Sequence, residues 1–303
     1  MSEQSAPVLV SVLMPVYNAG CDLRLAVISV VRQTFTSWEL ILMDDGSTDD
    51  AFASIADIND ARIHIHRDGH NRGLAARLNE ACDLARGAYM ARMDQDDVSF
   101  PDRFACQVQA LQADSALDVV AVRAITIDER GDIVGHFPFA GTHAEICAKP
   151  WRGFYFPHPA WMGRVEWFRK FRYASPGPYF CEDQELLLRS YQQSHFRTLD
   201  QVLFAYRVRS QTNWTKVART RRAMLGHQWD VFGRSNMWGS RVLALAAFAV
   251  KNARDLVSRL SGQPLASGSG EPVDADLRRQ WQQALGAIRI GESPQADVGK
   301  APR

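Results

Sequence analysis

The sequence has no long apolar run, no closely spaced pair of cysteines and almost no net charge, which is +1 over 303 residues. None of its apolar runs approaches the roughly 20 residues that a membrane-spanning helix requires. The five cysteines are scattered, which argues against a disulfide scaffold and against a zinc site. The balanced charge creates no field that would attract nucleic acid. The short polar N-terminus lacks the features of a signal peptide, so we expect a cytoplasmic protein without a nucleic-acid partner.

Apolar runs and helical spacings alternate along the first 124 residues. Each strand-like run precedes a segment whose apolar residues recur every three or four positions, as in βαβ units. The alternation predicts an α/β fold with a mainly parallel sheet flanked by helices. After residue 124 it fades, and we expect a hairpin at 125–139, a helix at 181–189 and a strand at 201–208. The strands expected before that point lie at 8–14, 38–43, 62–66, 88–93 and 118–124.

Three carboxylates, those of Asp94, Asp96 and Asp97, follow the predicted strand at 88–93. Burying such a cluster without a counter-charge would be very costly. Side chains alternate along a strand, so Asp94 and Asp96 point the same way if the extended form continues. Two such carboxylates favour Mg²⁺ or Mn²⁺, which also bind phosphate oxygens. The residues alone leave open a solvated acidic turn before a helix that Pro101 opens.

A second acidic turn, at 44–49, follows the predicted strand at 38–43. Functional loops of such sheets lie beyond the carboxyl ends of the strands, where both acidic turns are expected. The Asp45 carboxylate could accept the N3–H of uracil, and Tyr17 could stack on a flat ring. The alternative is that Asp45 caps a helix at 50–57.

The segment 71–79 is expected to open a helix, with Gly73 allowing a close approach of the backbone. Arg77 could reach phosphate as a forked donor. The alternative for Arg77 is a solvated position on an ordinary helix.

Five motifs, in this order, resemble those of family 2 glycosyltransferases. They are Met-Pro-Val-Tyr-Asn at 14–18, the stretch 29–35 leading into 38–49, the helix start at 71–79, Asp-Gln-Asp-Asp at 94–97, and Glu-Asp at 182–183. The match covers roughly residues 8–215. The resemblance implies an A-type glycosyltransferase fold with a Rossmann-like central sheet. It also implies a nucleotide-sugar donor, for which we expect a UDP-sugar, and inversion at the anomeric carbon.

The resemblance assigns roles to particular residues. Asp96 would bind the Mn²⁺ or Mg²⁺ cofactor, and Asp94 the ribose or a metal-bound water. Asp97 would hold a further water ligand or cap the following helix. Asp183 would be the base that removes the proton of the acceptor hydroxyl, although Glu182 and Asp183 could also simply occupy a helix N-terminus. The nucleotide-sugar-binding set is Pro15, Tyr17, Asn18, Asp45, Asn71, Arg77 and Asp94.

The sequence departs from the family pattern at Arg209, where many relatives have histidine. Arginine stays protonated and cannot ligate a metal, but it can pair with a diphosphate, as Arg207 also could. The identity of the third protein ligand of the metal therefore stays open. His158 and Trp161 lie in a segment that resembles the acceptor side, where they and Glu182 could frame a sugar ring. Core packing is the alternative for Trp161.

Two other functions compete with the transferase. The pattern Asp94-x-Asp96-x-Val98 fits the nucleophile motif of haloacid-dehalogenase-type phosphatases, but a long βαβ stretch precedes it and no suitable lysine follows. A non-catalytic module that binds a nucleotide-sugar is the second alternative, and the intact Asp96 and Asp183 argue against it. We therefore expect a metal-dependent hexosyltransferase or a related transferase.

The chain divides, by this interpretation, into a catalytic domain at 1–235 and a C-terminal helix with a weakly ordered tail at 236–303. The nucleotide-sugar half would span about 8–124 and the acceptor half about 125–235. Residues 241–260 form a basic helix whose apolar face either lies on an anionic membrane or packs against the catalytic domain. The family habit adds a growing bacterial glycan, lipid-linked or free, as acceptor at the inner face of the cytoplasmic membrane. The apolar face consists of Val242, Leu245, Ala249, Ala253, Leu256 and Leu260.

Overall fold

The computed structural model describes residues 9–177, 180–209, 213–261 and 273–290. Its strands follow the apolar runs of the sequence, because each run is long enough to cross a sheet that is covered on both faces. They are β1 (Val10–Val16), β2 (Trp38–Asp44), β3 (Ile63–Arg67), β4 (Tyr89–Arg92), β5 (Val98–Ser99), β6 (Val119–Ile127), β7 (Ile133–His136), β8 (Met162–Arg164) and β9 (Phe196–Arg207).

The helices connect these strands and cover both faces of the sheet. They are α1 (Asp22–Val31), α2 (Leu74–Leu84), α3 (Arg103–Ala113), α4 (His143–Ile146), α5 (Val165–Lys170), α6 (Glu182–Ser190), α7 (Trp214–Arg234), α8 (Trp238–Ser261) and α9 (Ala275–Ile288). Two expectations need correction. The helix predicted at 50–57 is a short 3₁₀ turn at Ala51–Ile55, and the strand predicted at 201–208 is the second part of the longer β9.

One continuous sheet joins the two halves of the protein, in the order β3-β2-β1-β4-β8-β6-β9-β5, with β7 paired to β6. The first half, from β3 to β4, is parallel. The second half is mixed, since β8 runs antiparallel to both β4 and β6 while β6 and β9 are parallel. The predicted hairpin at 125–139 is the antiparallel pair β6–β7. The α/β fold expected from the alternating pattern is confirmed.

Apolar clusters lie on both faces of this sheet. One packs β1, β2 and β6 against α1 and α3, around Trp38 and Phe104. The other packs α2, α5 and α6 on the opposite face, around Trp161 and Phe168. Because β4 and β6 contribute residues to both clusters, the parallel and the mixed halves of the sheet are packed together.

The last described helix, α9, packs against β5, β6 and β7, in a stretch where a weakly ordered tail with one helical patch near 277–288 is expected. Its buried residues, at helical spacing, are Leu277, Trp281, Ala284 and Ile288. The Trp281 ring stacks on Phe100 with centroids 5.6 Å apart, and its Nε1 donates to the carbonyl oxygen of Gly131 at 2.9 Å. The rest of the expected tail, at 262–272 and 291–303, lies outside the described residues.

The apolar face of α8 is exposed, so the alternative in which that face packs against the catalytic domain is wrong. All six residues of the predicted face are exposed, with Leu256 at 58% and Leu260 at 79%. The opposite face contacts α7, where Arg221 pairs with Asp255 at 2.7 Å. Among the helices that the structure describes, none is long and apolar enough to cross a membrane.

Candidate active site

The residues singled out in the sequence meet at one edge of the sheet, beyond the carboxyl ends of β1, β2 and β4. The pairing sets Val16 beside Asp44 and Leu13 beside Arg92, so the loops that follow these strands leave the sheet together. This is the edge at which open α/β sheets bind their ligands. It brings Tyr17 and Asn18, the turn at 44–49 and the turn at 94–97 into direct contact.

Gln95 fastens the loop after β1 to the turn after β4. The backbone N–H of Tyr17 donates to Oε1 of Gln95 at 2.6 Å, and Nε2 of Gln95 donates back to the Tyr17 carbonyl at 3.0 Å. The Tyr17 ring remains 48% exposed at the sheet edge, where a flat ligand could stack on it. Asn18 adopts a positive φ and its Oδ1 accepts the N–H of Thr48 at 2.8 Å. Sequence reasoning missed Gln95, because it stands at the middle position of the Asp-x-Asp motif, which the motif leaves unspecified.

The Asp45 carboxylate is buried at the start of the second loop. Its Oδ1 accepts from the Arg72 N–H at 2.7 Å and from Nε of Arg77 at 3.0 Å, and its Oδ2 accepts from the Gly73 N–H at 3.0 Å. Gly46 follows with a φ of 76°, and a Cβ there would lie 3.0 Å from the backbone carbon of His70. Glycine at this position therefore lets the segment with Asn71 approach the turn closely.

Arg77 is placed differently from the expectation. Its guanidinium is buried and all of its N–H groups are engaged within the protein, by Asp45, Asp68, Glu80 and the carbonyl oxygen of His70. As arranged here it offers no donor to phosphate and instead holds the Asp45 carboxylate in place. Pro15 also differs from its predicted role as a direct contact, because it is buried in β1 opposite Met43.

The acidic turn after β4 does not continue the strand. Because β4 ends at Arg92, the alternation of side chains does not extend to the aspartates, and each one has a different partner. Oδ1 of Asp94 lies 2.6 Å from Nη1 of Arg92, and Oδ2 of Asp96 lies 3.0 Å from Nη2 of Arg209. The buried Asp97 accepts the Arg207 N–H at 2.8 Å.

The surroundings of Asp96 and Asp97 do not fully compensate the negative charges of these two carboxylates. Burial, together with Asp94, raises the pKa of Asp96 in spite of Arg209. Burial and the charges of Asp94 and Asp96 raise the pKa of Asp97 well above its ordinary value. Within the described residues, Oδ2 of Asp97 is buried without a hydrogen-bond partner. The turn is therefore a place where a further positive charge would be favourable.

Arg207 and Arg209 flank the acidic turn in different ways. The Arg207 side chain is buried, and its Nε and Nη1 donate to the carbonyl oxygens of Asp96 and Asp128 at 2.7 and 2.8 Å. It supports the turn from within instead of reaching out to a diphosphate. The Arg209 side chain is 56% exposed and close to Asp22 as well as Asp96. Arg209 is thus the one of the two that can reach a ligand.

The second acidic group, Glu182 and Asp183, begins α6. Oδ2 of Asp183 accepts from Nε2 of Gln184 at 3.0 Å, and Gln184 also bonds to the backbone N–H and carbonyl of Phe154. Gln184 thereby fixes Asp183 relative to the preceding loop. Burial and the neighbouring Asp183 raise the pKa of Glu182 to about 7, and burial raises the pKa of Asp183. A carboxylate that accepts protons near neutral pH suits a general base.

His158 and Trp161 lie behind this acidic pair. His158 shares a 2.7 Å hydrogen bond with the Tyr173 hydroxyl, and its Nδ1 is 3.9 Å from Oε1 of Glu182. Burial and the charge of Arg92 hold the His158 pKa well below its ordinary value, so the ring is neutral. Trp161 is 0% exposed and packs edge-on against His158. The suggestion that Trp161 frames a sugar is wrong, because core packing covers its ring.

The fold and the acidic edge define a glycosyltransferase of the A-type architecture. The sequence profile described as "Glycosyl transferase family 2" matches residues 11–172, which is more than half of the chain. The chain therefore belongs to glycosyl transferase family 2. The family expected from the motifs is confirmed, as is the transferase class of the enzyme, and no finding supports a phosphatase.

Curated relatives match part of the chain. EpsE of Bacillus subtilis (strain 168) is 40% identical over 126 residues, which are 40% of this chain and 45% of that protein. The Escherichia coli UDP-Glc:alpha-D-GlcNAc-diphosphoundecaprenol beta-1,3-glucosyltransferase WfgD is 32% identical over 103 residues, 34% of this chain and 41% of that protein. The chain thus spans less than half the length of these relatives.

Solved structures share the fold over most of the chain. S. aureus TarS 1–349 in complex with UDP-GlcNAc has a TM-score of 0.61 at 16% identity, covering 92% of this chain and 80% of that one. The mannosyltransferase PcManGT from Pyrobaculum calidifontis, in complex with GDP-Man and Mn²⁺, has a TM-score of 0.57 at 17% identity, covering 95% and 87%. At these identities the likeness concerns the fold.

Proposed function

We propose that the protein transfers a sugar, with inversion, from a uridine-diphosphate sugar to a hydroxyl group of a glycan acceptor. The observation that carries this proposal is the pairing of two acidic groups at one edge of the sheet. Asp94 and Asp96 follow β4, while Glu182 and Asp183 begin α6. The name of WfgD, which includes UDP-Glc, and the UDP-GlcNAc complex of TarS support the choice of donor.

The donor nucleotide would bind where the loops after β1 and β2 meet. The exposed Tyr17 ring offers a stacking surface for the base. Oδ2 of Asp45 accepts one hydrogen bond, from Gly73, and so retains capacity for the N3–H of uracil. Asn71 is exposed next to this turn and would contact the nucleotide, while Arg77 acts indirectly by orienting Asp45. Asp94 would meet the ribose.

The acidic turn fits a divalent cation. Within the described residues no group of three or more His, Cys, Asp or Glu side chains forms a complete metal site. Mg²⁺ and Mn²⁺ nevertheless bind through one or two carboxylates together with substrate phosphates, and Asp96 has the oxygen ligands and the uncompensated charge for that arrangement. Asp96 would hold the ion, with Asp94 beside it and Arg209 free to approach the diphosphate. A bound ion would stabilise the departing diphosphate as a Lewis acid.

Asp183 would act on the acceptor. Its carboxylate takes the proton of the acceptor hydroxyl as the hydroxyl oxygen bonds to the anomeric carbon. The bond from that carbon to the diphosphate oxygen breaks at the same time, with its electron pair leaving on the nucleoside diphosphate. Attack from the face opposite the leaving group inverts the anomeric carbon. The transition state has oxocarbenium character, as in glycoside hydrolysis.

The acceptor would be a growing bacterial surface glycan on a lipid carrier, a choice that the diphosphoundecaprenol in WfgD's name supports. The exposed face of α8 would then rest on the inner surface of the cytoplasmic membrane. Its apolar residues are flanked by the exposed Arg254 and Arg259, and Trp238 is exposed at its start. This combination suits the interface of an anionic membrane. Residues 8–124 would form the donor half and 125–235 the acceptor half, and 236–303 would be a C-terminal segment of which α8 faces the membrane.

Uridine recognition can be tested by calorimetry. Asp45→Ala should weaken UDP binding by about 1 kcal/mol or more, the scale of a hydrogen bond to a charged group. Tyr17→Ala should weaken it as well, whereas Asp200→Asn, an exposed carboxylate on the distant part of β9, should leave it unchanged. Tight binding of GDP without any response to UDP would reject the uridine assignment.

Metal dependence can be tested by removing the ion and the carboxylate separately. EDTA should abolish transfer and added Mn²⁺ should restore it. Asp96→Asn should strongly reduce Mn²⁺ binding measured by electron paramagnetic resonance in the presence of UDP, because it removes the anionic ligand. Asp102→Asn, at the N-cap of α3, is the matched control. Full activity in EDTA would disprove the role of Asp96.

The base assignment predicts a rate defect with a defined pH dependence. Asp183→Asn should lower kcat by about 10²–10⁴ without changing UDP affinity. Because the base must be deprotonated and the acidic pair has raised pKa values, the wild-type rate should fall as the pH drops through about 7. This acidic limb of the pH–rate profile reports the titration of the coupled Glu182–Asp183 pair and not that of a single residue. Loss of UDP binding with normal turnover in Asp183→Asn would show a wrong assignment.

Membrane contact can be tested without truncation, which would also remove the packed helix α9. The doubly substituted Leu256→Asp, Leu260→Asp chain should no longer float with anionic phosphatidylglycerol vesicles. The wild type should float at low salt and less at high salt, since each basic residue near the surface contributes about 1 kcal/mol. Ile65→Asp, at an exposed apolar position on β3, is the control that should still float. Equal flotation of all three proteins, or none by the wild type, would refute the contact.

A further inference from the structure

Arg92 is a buried charge between the two acidic groups of the site. It is the last residue of β4 and is only 1% exposed. Its backbone N–H donates to the Trp161 carbonyl at 2.8 Å, and its carbonyl accepts from Nη2 of Arg103 at 2.8 Å. Because arginine remains protonated, burying it has a large desolvation cost that the surroundings must compensate.

The compensation of Arg92 is unlike that of the other buried arginines. The guanidinium of Arg103 bonds to Gln107 and to two carbonyl oxygens, and that of Arg77 uses all of its N–H groups. Arg92 instead has one close carboxylate, Asp94, whose Oδ1 lies 2.6 Å from Nη1, and neither Nε nor Nη1 makes a well-directed hydrogen bond in the described parts of the chain. A residue that served only to hold the core together would be saturated as the other two are.

The guanidinium of Arg92 also acts on the acceptor side of the site. The turn with His158 packs against β4, and His158 in turn contacts Tyr173 and lies near Glu182. The charge of Arg92 lowers the pKa values of Glu182 and Asp183 and opposes the rise that burial causes. It has the same effect on Tyr173 and Asp97. One fixed cation thus influences the carboxylates on both sides.

We propose that Arg92 is a positioning residue of the transfer reaction, whose buried guanidinium holds Asp94 on the donor side and provides a counter-charge for the Glu182–Asp183 pair on the acceptor side. The proposal rests on the function proposed above for Asp183. An opposite charge nearby favours the ionised carboxylate, and low polarity around the site strengthens the effect. Lysine would retain the charge but would place it on a compact ammonium group at the end of a flexible stem instead of on a planar guanidinium.

The first test is the pH dependence of kcat/KM. In Arg92→Met and in Arg92→Gln, the acidic limb should move to higher pH by about one unit, because the base loses its neighbouring cation. Activity at pH 6, below both limbs, should drop by about tenfold, which is the same shift read at fixed pH, and should recover in part at high pH. Arg92→Lys should keep the wild-type limb. A uniform loss at every pH with an unmoved limb would overturn the proposal.

The second test does not need activity. The deficit in melting temperature of Arg92→Met should grow between about pH 5.5 and pH 8, because the carboxylates that Arg92 stabilises become ionised over that range. In a Glu182→Gln, Asp183→Asn background the growth should shrink to the part contributed by Asp97, whose pKa Arg92 also lowers, while the constant part of the deficit stays. The groups that face the pair, and are unchanged in this comparison, are Asp94, His158, Tyr173 and Cys181.

The two tests separate the two proposals. If the wild type transfers no sugar from any nucleotide-sugar, the proposed function fails, while the melting series still decides the role of Arg92. A pH-independent deficit that persists in the background without the acidic pair would make Arg92 a purely structural residue. Should the neutral variants fail to fold, Arg92→Lys must fold and keep the wild-type pH profile, and a shifted limb in that variant would reject the proposal.

Discussion

The structure depends on compensating a dense group of carboxylates with arginines at one edge of the sheet. A buried carboxylate without a counter-charge would destabilise the fold by several kcal/mol. Carboxylates at this edge are therefore paired with arginines, which come either from a neighbouring strand or from a distant segment of the chain. The pairs that result are Asp44 with Arg67, Asp45 with Arg77, Asp94 with Arg92, and Asp96 with Arg209.

The negative charge is fully compensated at the turn after β2 but not at the acidic turn after β4 or at the start of α6. This difference distinguishes the carboxylates proposed to bind the nucleotide from those proposed to bind the cation or accept the proton. In spite of burial, hydrogen bonds from Ser47 and the ion pair with Arg67 hold the pKa of Asp44 below its ordinary value, and the neighbouring Asp45 has its partners inside the protein. At the acidic turn and at α6 the balance is reversed, since burial raises the pKa values of Asp96, Asp97, Glu182 and Asp183. Those are the groups that would bind a cation or accept a proton, which is the pattern expected of functional carboxylates.

The sequence predicted where these groups lie better than how they are held. Apolar runs mark strand ends, and parallel pairing brings the ends to one edge, so the meeting of Tyr17, Asp45 and the acidic turn could be predicted. The burial of Trp161 could not, because it depends on His158 and Phe156 packing on the ring. The two amphipathic helices show the same limit. The sequence predicts an apolar face for α8, but only the fold shows that this face is exposed, whereas the apolar face of α9 is covered.

The continuous sheet explains how the two acidic groups of the proposed site can be held relative to each other. β4 carries the acidic turn, and β8, which pairs with it, follows directly after the His158 turn that supports Glu182. β6 and β9 extend the same sheet to Arg207, which holds the far side of the acidic turn. Both groups are thus anchored in one core. Preorganised charges of this kind need no rearrangement as the reaction proceeds, which is why such sites lower barriers effectively. Arg92, at the end of β4, lies at the centre of this arrangement.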